Sequence, residues 1–114
     1  MTQNFDHHKM TSDTDVVNLS TVLEYQERSV VSRVLLKNSG GGITLFAFDK
    51  GESLSEHKTA FDAFVTVIEG TTLIGIDGRQ HTLSEGDSIV LPANIPHAVD
   101  AVTKFKMTLT MIRG

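Results

Sequence analysis

From Asp15 onward, apolar and polar positions alternate over short stretches, and turn residues interrupt them every few positions. Period two with many β-branched residues predicts strands. Residues 16–19 read as a weak first strand and residues 30–37 as a second, closed by the turn Asn38-Ser39-Gly40-Gly41-Gly42. Residues 43–49 follow, with Ile43, Leu45 and Ala47 on one face and Thr44, Phe46 and Phe48 on the other. Gly51 opens a loop into residues 55–59, and residues 64–69 form the next strand, ending at Gly70. Residues 72–76 and 79–83 flank Asp77-Gly78, a pair suited to a type I′ hairpin because both central positions need positive φ. Ser84-Glu85-Gly86-Asp87 turns into a short strand at residues 88–91, stopped by Pro92. Residues 97–103 and 105–112 complete the pattern. In the last of these, Phe105, Met107, Leu109 and Met111 face one way and Lys104, Lys106, Thr108 and Thr110 the other. No stretch of ten or more residues has helical periodicity, and a helical turn fits only near residues 21–27. The pattern is that of an all-β sandwich or barrel.

Composition narrows the function classes. The chain has 114 residues, 39% hydrophobic and 21% charged, which suits one domain with one modest core. Residues 1–14 read as a flexible lead-in, with His7 and His8 solvated, and residues 15–114 as the domain. The net charge is -4 and the basic residues are scattered, which argues against nucleic acid. There are no cysteines, so disulfides, thiolate zinc sites and a cysteine nucleophile are excluded. The start of the chain lacks an apolar secretory core, and no apolar run approaches the roughly 20 residues of a membrane span. Cytoplasmic residence, with no membrane partner, is the expectation.

Two glycine-led segments concentrate the candidate chemistry. The first runs from Gly51 to Gly70 and carries Glu56, His57, Thr59, Asp62 and Ala63. The second runs from Gly86 to Ala101 and carries Pro92, Asn94, Pro96 and His97. Together they resemble the two motifs of the cupin superfamily, in its small single-domain, RmlC-like form. The resemblance covers residues from about 40 to 112 and is most specific at Gly86, Pro92 and His97. It implies a double-stranded β-helix, or jelly-roll β-barrel, with His57 and His97 facing one shared pocket. In that family the first motif usually supplies two His and a Glu, and the second supplies one more His, all holding a divalent metal. His57 matches the first ligand and His97 the last. Thr59 stands where the second His would be, and Ala63 where the Glu would be.

A ligand pocket of His57, Thr59, Ala63 and His97 is therefore implied, with His57 and His97 as the two retained metal ligands. The metal implied is a divalent transition ion: Ni, Zn, Fe or Mn. On a strand, residues 57 and 59 would share a face. A hydroxyl at 59 is a weak donor and Ala63 has none, whereas catalytic metal sites usually have three protein ligands and a water. Asp62 neighbours the lost carboxylate but faces away unless a bulge re-aims it, and Glu56 has the same geometry beside His57. His81 lies among polar neighbours and reads as exposed. Asn94 replaces a common Gly with the next most tolerant residue of the left-handed region. Pro92 and Pro96 stiffen their loop, and Ala101 replaces the family's final Asn.

Three readings follow. One is a small-molecule-binding cupin in which His57 and His97 act as polar or acid–base groups. Phe46, Phe48, Phe61, Phe64, Met107 and Met111 would then divide between core and pocket lining. The second is a metal-dependent enzyme of the dioxygenase, decarboxylase or isomerase type with a non-standard site. The third is a metal-free isomerase or epimerase, which needs a His–carboxylate dyad. The barrel alone does not choose among them. Gly40-Gly41-Gly42 lacks the Lys and helix of a phosphate loop. The resemblance also implies a homodimer, for which residues 16–36 offer strand edges.

Overall fold

Alternation becomes nine strands in the computed structural model of the protein, which describes residues 15–113. They are β1 (Val30–Asn38), β2 (Gly41–Phe48), β3 (Ser53–His57), β4 (Asp62–Glu69), β5 (Thr71–Ile76), β6 (Arg79–Ser84), β7 (Ser88–Leu91), β8 (His97–Ala101) and β9 (Phe105–Ile112). The ladders are antiparallel and form two sheets, ordered β1-β2-β9-β4-β7 and β3-β8-β5-β6. Among the described residues no helix is present, so none is long and apolar enough to cross a membrane. The architecture is the all-β jelly roll expected from the sequence.

Period-two alternation decides what each sheet buries. Phe48 pairs with Phe105 and Phe46 with Met107 across β2 and β9, and Val65 pairs with Leu109 across β4 and β9. These side chains meet Ile74, Leu83 and Val99 of the second sheet in one apolar cluster. At its centre the Phe48 and Phe105 rings stack with centroids 4.5 Å apart. The Asp77-Gly78 turn has φ of 52° and 84°, as a type I′ hairpin requires. Asn94 takes φ 63°, using its tolerance of the left-handed region.

Several expectations are corrected. Residues 16–19 do not form a strand. Asn18 nucleates a turn instead: its Oδ1 accepts from Ser20 N–H, and its carbonyl from Thr21 and Val22 N–H. That Val22 bond closes one i→i+4 turn over 18–22, starting ahead of the 21–27 stretch where a helical turn was expected. The strand expected to carry residues 57 and 59 is the edge strand β3 at 53–57, which starts earlier and ends at His57, and the 97–103 strand stops at Ala101. Gly41 and Gly42 belong to β2 rather than to the preceding turn. His81 is half-buried, not exposed. The lead-in, with His7 and His8, lies outside the described residues.

The outer face of the five-stranded sheet differs most from its reading. Lys106 faces away from the core as its parity demands, yet it is only 4% exposed. Its Nζ donates to the Ser20 carbonyl, lies 4.9 Å from the Tyr25 ring centroid, and is 3.8 Å from Glu69 Oε2. Tyr25 donates its hydroxyl to the same carboxylate at 2.6 Å. Burial, reinforced by that carboxylate, holds the Tyr25 phenol far above its usual ionisation range. The segment before β1 is thus strapped across the sheet's outer face. Ala47, opposite Lys106 in the ladder, is fully buried there although it faces away from the core.

Candidate functional site

His57 is the last residue of β3 and His97 the first of β8. The antiparallel register makes them direct cross-strand partners, after a shift in register between Leu54 and His57. Partners on one face lie close enough for ring contact, and the two imidazoles meet edge to face with centroids 4.5 Å apart. The pair is asymmetric: His97 is buried and His57 exposed.

Both rings use the same atom to orient themselves. His57 Nδ1 lies 2.9 Å from the Ser55 carbonyl, and His97 Nδ1 lies 3.3 Å from the Ile95 carbonyl. A carbonyl can only accept, so each Nδ1 carries a proton, and in the neutral form of each ring Nε2 holds the lone pair. Neither Nε2 has a protein partner among the described residues. Burial pushes the His97 pKa below the ordinary histidine value, and the neighbouring His57 charge adds to this, against the Ile95 carbonyl. Near neutral pH His97 is therefore a neutral acceptor.

The other expected pocket residues do not join the pair as ligands. Strand β3 ends at His57, so the alternation that would put residue 59 on the same face has already stopped. Thr59 sits in the loop, where its hydroxyl donates to the Phe61 carbonyl and accepts from Phe61 N–H, both at 3.2 Å. Its own carbonyl accepts from Asn94 N–H at 2.6 Å, tying this loop to the one before His97. Ala63 does face inward and packs within the apolar cluster. Asp62 faces the other way and accepts from Ala93 N–H at 2.8 Å, so no bulge re-aims it. Glu56 is exposed.

The donor chemistry tests the metal that the motifs imply. Nδ1–H bonded to a carbonyl with a free Nε2 is the tautomer a metal-ligating imidazole adopts. The ligand count falls short: among the described residues no three His, Cys, Asp or Glu side chains converge. Two imidazoles do not make the three-ligand set of a resident catalytic metal.

At the same end of the barrel lies a cavity whose apolar wall includes Phe61 and Met111, both candidate lining from the sequence, and whose basic residues sequence reasoning missed. It has a volume of about 300 Å³ and is lined by Val34, Phe61 and Met111 together with Lys37, Asn38 and Arg113. Register places it there: Gly42 pairs with Met111, and Met111 with Ala63 near the start of β4. The loop from His57 through Thr59 to Phe61 joins the two features. Met111 was readable as inward-facing. Lys37 and Arg113 stand at strand ends, where alternation carries no information.

Comparison with known proteins agrees with this architecture. Residues 44–113 match the family model described as Cupin domain. A conserved protein of unknown function from Streptococcus pyogenes is 36% identical, with a TM-score of 0.84 and 89% of each chain covered. A cupin 2 conserved barrel domain protein from Leptotrichia buccalis is 44% identical, with a TM-score of 0.81 over 84% of this chain and 47% of that one. A cupin superfamily protein from Desulfitobacterium hafniense is 30% identical, with a TM-score of 0.80 over 87% and 92% of the two chains. Comparison with curated proteins finds no match.

Proposed function

The chain belongs to the cupin family, and from that premise we propose that it binds a small molecule at the barrel mouth, with His57 and His97 as the polar recognition groups. One observation carries this reading. Two facing imidazoles have each committed Nδ1 to the backbone and left Nε2 open, and one of them is buried. Such rings are pre-oriented, so little side-chain freedom is lost when a ligand donates to them. His97 can accept a hydrogen bond or take up a proton, and the exposed His57 stands beside it to receive or return one.

The test is a thermal-shift screen of small molecules on untagged protein, repeated on His57→Asn and His97→Asn. Hits that stabilise the parent by several degrees and are lost in both variants support the reading. Hits unaffected by either variant overturn it, as does a screen without hits. His57→Asn, at an exposed position, controls for folding. Metal content of the same protein addresses the metal-dependent alternative, which the ring tautomers favour and the ligand count opposes. About one transition metal per chain, lost in the His57→Ala/His97→Ala double variant, would move the reading to that enzyme class.

We also read the molecule as a homodimer. The supporting feature is β1, a nine-residue strand at an open sheet edge, whose unpaired backbone groups suit a second copy. Light scattering at micromolar concentration should give twice the chain mass, and a monomer would overturn this.

A further inference from the structure

We propose that the cavity at the same end of the barrel as the histidine pair takes a small oxyacid, an apolar body bearing one carboxylate or phosphate group. This rests on the mouth being a small-molecule site and names the class of molecule it takes.

The lining supplies both halves of the recognition. Val34, Phe61 and Met111 form apolar wall. Of the polar side chains beside them, Lys37, Asn38 and Arg113 present donors, and Thr44 adds a hydroxyl that can donate or accept. Lys37 has only N–H donors to offer, and no carboxylate pairs with it among the described residues. Asn38 Oδ1 is already taken by the Gly40 N–H at 2.7 Å, so the amide turns its NH₂ group to other partners. Arg113 donates Nε to the Ser39 carbonyl at 2.9 Å and its backbone N–H to the Gly40 carbonyl at 2.8 Å. Its guanidinium also lies 4.9 Å from the Phe61 ring centroid. The head group is thus held in place by a bond and a ring, with its terminal nitrogens left over.

Charge points the same way. The chain carries a net charge of -4, yet no Asp or Glu lines this cavity while two cations do. A held guanidinium presents parallel N–H groups suited to two oxygens of one oxyanion. The volume, about 300 Å³, stands at the small end of ligand pockets, so the apolar body is of single-ring size.

The experiment titrates the full chain, ¹⁵N-labelled, with benzoate, phenyl phosphate and the neutral isostere benzamide, following amide resonances. Saturable shifts at residues 37–44, 61 and 111–113 are expected with one or both oxyanions, with benzamide about tenfold weaker or worse. Arg113→Gln and Lys37→Gln should each weaken oxyanion binding about tenfold while leaving the rest of the spectrum unchanged, and added salt should weaken it in the parent. Benzoate and phenyl phosphate together decide which acid group is preferred. Equal binding of benzamide, indifference to Arg113→Gln, or no shift from either oxyanion at millimolar concentration would overturn the oxyacid assignment. Neutral hits that depend on His57 and His97 would, in that event, leave the mouth standing as a small-molecule site.

Discussion

Removing the charge of Glu69 should destabilise the fold more than removing the buried lysine it faces. Lys106 is 4% exposed and relies on three contacts: the Ser20 carbonyl, the Tyr25 ring and Glu69 at 3.8 Å. At that separation the Coulomb attraction is about 4 kcal/mol for an effective dielectric near 20. The Glu69 side chain is 35% exposed, so solvent screening cuts this to about 1–2 kcal/mol. Glu69→Gln also turns the charge-assisted bond from the Tyr25 hydroxyl into a neutral one, for a total loss of about 2 kcal/mol. That corresponds to a fall in Tm of roughly 8 °C. Lys106→Met keeps the length of the side chain and removes the buried charge, so it should stay within about 1 kcal/mol of the parent in either direction. Urea denaturation followed by circular dichroism, run as a double-mutant cycle, reads both values and their coupling. Coupling below about 0.5 kcal/mol, or a Lys106→Met loss larger than that of Glu69→Gln, would refute the view that this charge is held mainly by its carboxylate.

Acid should act through His97. Its folded-state pKa is lowered, first by burial and then by the His57 charge, so the unfolded chain takes up the proton more readily. The stability this group contributes is full above the unfolded value of about 6.5 and is lost as pH falls through the lowered folded value. Parent and His97→Asn should therefore converge in stability between pH 7.5 and 5.5 in urea titrations, and parallel curves would show that another group sets the acid limb. Gly70→Ala and Gly78→Ala separate backbone conformation from space. Both glycines have φ near +83° (82° and 84°), but a Cβ at Gly70 would stand 2.0 Å from the Lys104 carbonyl oxygen, whereas one at Gly78 meets nothing within 4 Å. Gly78→Ala should cost about 1 kcal/mol and Gly70→Ala at least about 2 kcal/mol more; equal urea midpoints would contradict this.

What was legible in the sequence was what period two and turn chemistry encode. Phe105, Met107, Leu109 and Met111 point inward because nothing but alternation sets their side. Asp77-Gly78 turned where it should because few other residues accept two consecutive positive φ values. The bounds of strand β3 were displaced toward residue 59 because SLSEH contains a single apolar residue; it is an edge strand held by β8 alone, so little in its own composition marks where it starts and stops. The strap before β1 was misread for the opposite reason. Val16 and Val17 look like strand, but Asn18 offers the backbone a turn with local bonds, and Val16 is left 99% exposed. Alternation put Lys106 on the side away from the apolar residues, but its burial there depends on Tyr25, more than eighty positions away, which no local pattern reports.

At the site, residue identity was readable and geometry was not. Motif spacing singled out His57 and His97, but their contact is made by the β3–β8 register, forty positions apart in sequence and reached through a shift in the ladder. The same end of strand β3 removes Thr59 from the face it was expected to share, so the departure from the family's ligand set is one of position as well as chemistry. The cations follow from this view of the mouth. Lys37 and Arg113 raise the local potential at this end of the barrel against a divalent ion, and among the described residues no carboxylate joins the two imidazoles to offset such a charge. An oxyanion meets the reverse in the cavity: donors in the lining and an apolar wall beside them. On the proposed reading, the lost ligands and the basic rim express one preference, for an acid group over a divalent ion.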